Sequence, residues 1–358
     1  VHPENDRVFY VGYASGGVFK TENGGNRMYP VFDHQGALGV GDMALSRANP
    51  DILWVGTGEN NSSRSSYAGA GVFKSTDGGK SWMNAGLTHT QHIGRIVTHP
   101  SDENTAWVAS IGALYSKNNE RGVYKTTDGG KNWDKTLFIN DSTGVIDLLI
   151  HPENPDILWA AAWERDRKAW NFKEGGEGSG IYKSTDGGET WNKINRGLPQ
   201  GDFVGRIGLD ISPSNPDILY AVIDNQYETK TEVEESDDRF TALTFREMKA
   251  EDFAELDNQK LNRFLRSNGF PARYTAERVK DDVAGGRYKP IALSEYLGDA
   301  NAALFQTDIE GAEVYKSVDG GESWEKVNTY KLDRVFNTYG YYFGQIRVDP
   351  NDPNTIYT

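Results

Sequence analysis

The chain has 358 residues, enough to bury a large core, and its 40 glycines with 12% aromatic residues suit many short strands joined by tight turns. A net charge of −14 and a pI near 5.0 argue against nucleic acid or an anionic membrane as the main partner, because both need a basic face. Without cysteine there are no disulfides, thiolate metal sites or Cys nucleophile, and no apolar run approaches the roughly 20 residues that cross a bilayer.

The chain opens at Val1-His2-Pro3 inside one repeat and stops at Tyr357-Thr358 inside another, so a piece of a longer protein is expected. The first repeat holds Thr21-Glu22-Asn23-Gly24-Gly25, with Met28 where later copies carry Trp. Those copies are Ser75-Thr76-Asp77-Gly78-Gly79-Lys80-Ser81-Trp82, Thr126-Thr127-Asp128-Gly129-Gly130-Lys131-Asn132-Trp133, Ser184-Thr185-Asp186-Gly187-Gly188-Glu189-Thr190-Trp191 and Ser317-Val318-Asp319-Gly320-Gly321-Glu322-Ser323-Trp324. Each reads as a strand entering a tight turn, where Asp bonds the backbone just ahead, Gly accepts positive φ, and Trp anchors the next strand.

Between these turns lie Asn49-Pro50-Asp51-Ile52-Leu53-Trp54, Asn154-Pro155-Asp156-Ile157-Leu158-Trp159 and Asn215-Pro216-Asp217-Ile218-Leu219-Tyr220, which are hairpin signals. Each unit then has four strand slots. Alternating strand direction puts the Pro turns and the Asp-Gly-Gly turns on one face and the second-to-third loops, with the links between units, on the other. Residues 227–311 interrupt the series, dividing the chain into 1–226, 227–311 and 312–358. The insertion starts with the acidic run Glu232 to Asp238, expected as a solvated connector. Phe253, Leu256, Leu261, Phe264 and Leu265 follow at helical spacing, then helices over Ala276 to Val283 and from Ser294 as N-cap. Together these helices are expected to cap the loop face.

The recurring Ser/Thr-x-Asp-x-Gly-x-x-Trp resembles the Asp box, and the chain is similar to Asp-box (BNR-repeat) β-propellers, most of all the sortilin-like repeats of exported bacterial proteins often labelled glycosyl hydrolases. The resemblance implies an all-β propeller of four-stranded antiparallel blades, here an incomplete ring of about five to six, completed by the remainder of the chain. It also implies a periplasmic, cell-surface or secreted protein. The Asp-box residues Asp77, Trp82, Asp128, Trp133, Asp186, Trp191, Asp319 and Trp324 are expected to be structural.

Binding residues concentrate on loops carried by a rigid scaffold, so the site is expected on the loop face. Trp163, Arg165, Arg167 and Trp170 form the densest cluster of rings and charge, and Arg64 and Tyr341 are expected to join them as ligand-binding residues. Glu59 is set against Glu164 or Asp166 as a candidate catalytic pair, since glycosidases need two carboxylates about 5–5.5 or 6.5–9.5 Å apart. The alternative use of the cluster is a salt-bridge network that shapes a long loop. Arg64, Arg121 and Arg165 or Arg167 meeting at one point would resemble the sialidase arrangement. Xyloglucan hydrolases with Asp boxes carry a catalytic Asp before Gly-Gly, but the matching Tyr13-Ala14-Ser15-Gly16-Gly17 has no carboxylate.

Scattered histidines offer no metal spacing, and no cofactor is expected. Two functions stand open: a binding or scaffold module whose loop face takes a protein or glycan, and a glycoside hydrolase acting on a polysaccharide or glycoconjugate.

Overall fold

The computed structural model describes residues 1–229, 240, 242–245, 248–297, 309–332 and 339–358. They fall into two units, Val1–Tyr227 with Ile309–Thr358, and Glu228–Asp308.

The first unit is a succession of antiparallel sheets in chain order. Phe9–Tyr13, Gly17–Thr21 and Tyr29–Pro30 make a three-stranded sheet. Four-stranded sheets begin at Val40–Leu45, Ile93–Thr98, Thr143–Ile150 and Val204–Ile211, and Arg347–Val348 with Ile356–Tyr357 make a final pair. The first strand of each four-stranded sheet lies beside the first strand of the next. Asp42 accepts from the Ile96 N–H at 2.7 Å, Asp147 from Leu209 at 3.0 Å and Asp210 from Val348 at 2.7 Å, stitching these inner strands together. Arg95 lies between two of the carboxylates, 2.8 Å from Asp147 and 3.6 Å from Asp42. Asp42, Arg95, Asp210 and Arg347 line a cavity of about 270 Å³ beside these strands. The fourth strands are largely exposed, so each sheet runs from its buried inner strands to an outer edge, as a propeller blade does.

Each Asp box is one repeated turn. Ser75 Oγ donates to Asp77 Oδ1 at 2.8 Å and accepts the Gly79 N–H at 2.9 Å, while Asp77 Oδ1 accepts the N–H groups of Lys80 and Ser81 at 3.0 and 2.9 Å. Gly78 and Gly79 stand at φ of 69° and 83°, in the left-handed region that a Cβ disfavours. The Gly78 N–H then bonds the Asp51 carbonyl of the Pro turn at 2.9 Å. The same bond recurs from Gly129 to Asn104, Gly187 to Asp156 and Gly320 to Asp217, which fixes both turn types on one face. In the first sheet Asn23 replaces Asp and still accepts the Arg27 N–H at 2.9 Å.

The Asp77 carboxyl is lowered to about 2, first by the Ser81 hydroxyl. Asn132 and Thr190 do the same for Asp128 and Asp186, and at Asp319 the bonds from Ser323 outweigh desolvation. A depressed carboxyl stabilises the fold above its unfolded value near 3.9 and loses that contribution as pH falls through the folded one. Stability is therefore expected to drop between about pH 4 and pH 2, and Asp77→Asn to make that acid limb shallower in a pH series of urea melts. An unchanged acid limb would contradict the assignment.

Blades are clasped by aromatics on the first strand of the three-stranded sheet and on the second strands of four-stranded ones. Tyr10 donates to the Gly78 carbonyl of the next Asp box at 3.0 Å, Trp107 to Gly187 at 2.9 Å and Trp159 to Gly320 at 3.1 Å. Lysines paired across the sheet lie over these rings: Lys74 Nζ is 4.5 Å from the Trp54 centroid, Lys125 5.7 Å from Trp107 and Lys183 5.8 Å from Trp159. Lys125 and Lys183 continue to Glu189 and Glu322 of the following box, both at 2.6 Å.

The second unit interrupts the fifth sheet between Leu219–Glu228 and Ile309–Ser317. It has a 3-10 turn at Ala242–Phe245 and helices α1 (Ala250–Ala254), α2 (Asn258–Ser267), α3 (Ala276–Ala284) and α4 (Ile291–Leu297). The apolar stripe breaks between α1 and α2, where Asp257 caps α2 by accepting the Lys260 N–H at 2.8 Å. Its residues pack into the unit's own core of Phe245, Phe253, Phe264, Val279 and Leu293. Ser294 is no N-cap: α4 opens directly after Pro290, whose fixed φ suits a first helical turn, and Ser294 lies inside it. The acidic run Glu232 to Asp238 lies outside the described residues.

Candidate functional site

The loop face is built from the second-to-third loops and a single helical turn, α5 (Gly340–Phe343). Its named carboxylates are occupied within their own loops. Glu59 accepts from the Tyr67 N–H at 3.2 Å and from Asn61 at 3.1 Å, pinning both ends of one loop. Glu164 accepts from the Gly178 N–H at 2.8 Å, lying so close that a Cβ at Gly176 would stand 2.3 Å from its Cδ. Asp166 pairs with Lys168 at 2.8 Å.

Trp163 and Arg165, both expected at the ligand, are buried instead. The Trp163 ring has no exposure and donates to the Glu174 carbonyl at 2.7 Å, because its strand runs through the blade core. Arg165 reaches the Leu114 and Gly112 carbonyls at 3.3 and 3.4 Å. Arg121 grips the same loop through Ile111 at 2.6 Å, Ala113 at 2.9 Å and Ser116 at 3.0 Å. These two arginines therefore frame a loop and do not converge with Arg64 on one point. Burial pushes Arg165 well below its ordinary range, and the neighbouring Arg121 and Arg167 charges add to that.

Arg167 is placed differently. A short hairpin, Asp166–Arg167 with Phe172–Lys173, sets Arg167 opposite Phe172. The guanidinium carbon lies 4.3 Å from the Phe172 centroid and 5.9 Å from Tyr341, and those two rings meet edge to face at 5.1 Å. Arg167 is 8% exposed, and its Nε has no partner. Exposed rings surround this stack: Trp170 at 86%, Tyr115 at 45%, Tyr342 at 42% and Phe343 at 54%.

Sequence reasoning missed three residues beneath α5. Arg206 donates to the Tyr341 carbonyl at 2.9 Å and the Asn60 carbonyl at 3.2 Å, and burial lowers it to about 10. Asp224 accepts from Gln226 at 2.8 Å on both oxygens and is raised to about 7 by burial, with a Cβ at Gly340 only 2.1 Å from its Cγ. Glu174 is raised to about 9, by burial first and then by Asp224. One signal was available: Val204-Gly205-Arg206-Ile207 repeats Ile93-Gly94-Arg95-Ile96, marking Arg206 as an inner-strand cation.

A family model described as "Sortilin, neurotensin receptor 3" (Sortilin-Vps10) matches residues 70–269. The chain belongs to the Sortilin-Vps10 family. This Sortilin-Vps10 propeller is 26% identical over 209 residues to a xyloglucanase of Paenibacillus sp, covering 52% of this chain and 19% of that protein. It is 22% identical over 210 residues to a probable oligoxyloglucan-reducing end-specific xyloglucanase of Neosartorya fischeri, covering 54% and 23%. The chain thus spans about a fifth of the length of these curated relatives. Among solved structures, the GH74 enzyme of Niastella koreensis superimposes with a TM-score of 0.55 at 18% identity, over 99% of this chain and 42% of that one. The GH74 xyloglucanase of Xanthomonas campestris gives 0.53 at 14%, with the same coverage. At these identities the likeness supports the propeller fold alone.

Proposed function

We propose that this propeller is a glycan-binding module that works outside the cytoplasm through its loop face. The observation that carries the reading is the division of labour on that face. Glu59, Glu164 and Asp166 are spent inside their loops, whereas Trp170, Tyr115, Tyr342 and Phe343 turn rings to solvent around Arg167. Flat aromatic faces bury sugar rings at little entropic cost, and the polar groups between them set orientation. The two relatives named xyloglucanases make xyloglucan the first polysaccharide to try.

Affinity electrophoresis against a panel of plant and microbial polysaccharides tests it. At least one should retard the protein, and Trp170→Ala should weaken that retention about fivefold, the worth of one exposed stacking contact, with no change in melting temperature. Retention of none would sink the reading. Release of reducing ends that disappears in Glu164→Gln would replace it with the glycoside hydrolase.

A further inference from the structure

Arg167 and Glu174 are an unmatched pair. The guanidinium makes no hydrogen bond and no ion pair among the described residues, although the residue is only 8% exposed between Phe172 and Tyr341 and its Nε is buried. Glu174 lies two residues beyond Phe172 on the same hairpin, and its Oε2 is buried without a partner. Each senses the other's charge, yet no ion pair joins them. A buried cation normally has its counter-charge close by, and a buried carboxyl its donor, because either left alone loses hydration without return. Two such groups close together in the chain, beside exposed rings, invite an outside group that satisfies both.

We propose that the Phe172–Arg167–Tyr341 stack with Glu174 is a subsite for the carboxylate of an acidic, uronate-bearing glycan, Arg167 supplying the charge and Glu174 a second polar contact. The inference rests on the glycan-binding reading above. A guanidinium offers planar donors matched to a carboxylate, and stacking on two rings fixes its orientation in advance. Arg64 adds a second positive charge near Arg167. The surrounding aromatic faces favour a sugar as the carrier of the carboxylate.

Protonation sets the pH response. The groups facing Glu174 are Asp224, Arg167 and Tyr341; Asp224 raises it and Arg167 lowers it, and burial raises Tyr341 above its ordinary value. As pH passes about 9, Glu174 loses the donor proton and places a negative charge beside the ligand. A uronate remains ionised throughout, so any loss of affinity over that interval comes from the protein.

The test is isothermal titration of the protein with a galacturonate hexamer, a neutral xyloglucan oligosaccharide and a peptide ending in a free carboxylate. The hexamer should bind, Arg167→Met should weaken it at least about tenfold and any xyloglucan binding by a clearly smaller factor, and affinity should fall roughly fourfold between pH 7.5 and 9.5. In Glu174→Gln, which carries a donor at every pH, that ratio should approach one. Equal binding of both glycans, a hexamer affinity unmoved by Arg167→Met in a protein of normal melting temperature, or the same alkaline fall in Glu174→Gln would each overturn the subsite. Tighter binding of the peptide would overturn the glycan as carboxylate source. Binding of xyloglucan alone would remove the subsite and leave the broader reading standing, whereas a protein that binds neither glycan would end both.

Discussion

Trp159→Ala is expected to destabilise the propeller by about 3–5 kcal/mol in urea denaturation, among the largest losses available to a single substitution in this chain. Trp159 is 1% exposed and belongs to the core cluster shared by the fourth and fifth sheets. Its ring also supports Lys183, and its Nε1–H reaches the Gly320 carbonyl of the next Asp box. Truncation therefore opens a cavity and unfastens two blades together. Trp159→Phe separates these effects, because it keeps most of the apolar area and removes the bond, and should cost about 1–2 kcal/mol beyond its smaller volume. A loss below about 1 kcal/mol for the alanine variant would mean that the aromatic clasps do not hold the blades.

Arg95→Met is expected to cost about 3–5 kcal/mol, because it leaves Asp42 and Asp147 on adjoining inner strands with their shared counter-ion gone. Burial already raises the Asp42 pKa, and Arg95 opposes that rise. The sign follows. A carboxyl whose folded pKa is raised takes up a proton on folding, so the penalty is greatest above the folded value and shrinks as pH falls toward the unfolded one. The difference between wild type and Arg95→Met should thus narrow on moving from pH 7 toward pH 4. Adding Asp42→Asn and Asp147→Asn should recover part of the loss at pH 7, and a penalty independent of pH would point to packing alone.

The Asp boxes were legible because each of their positions has one local task. Ser or Thr accepts a backbone N–H, Asp gathers two more, and Gly takes a positive φ, so chemistry within eight residues writes the turn. The order of strands followed from the spacing of those turns. The site was less legible, since the fate of a charged side chain depends on segments far away in sequence. Arg165 and Arg167 are neighbours of equal charge, yet one is taken by the carbonyls of Gly112 and Leu114 and the other by the rings of Phe172 and Tyr341. Alternation would put residues two apart on the same side, but Arg165 falls between the strand that ends at Glu164 and the hairpin that starts at Asp166, so only the partners waiting there decide which is free to meet a ligand. Glu174 and Asp224 gave no sign for the same reason: their burial comes from packing that a Glu-Gly-Gly or an Asp-Asn dipeptide does not encode.

Hydrogen exchange read by mass spectrometry, with and without the polysaccharide that retards the protein, addresses the division between the two faces most directly. Added glycan should slow exchange in peptides covering Glu59–Tyr67, Ala113–Arg121, Glu164–Glu174 and Tyr339–Phe343, and leave those covering Asp77–Trp82, Asp128–Trp133, Asp186–Trp191 and Asp319–Trp324 unchanged. Protection confined to the Asp-Gly-Gly turns would put recognition on the opposite side of the blades and contradict the account.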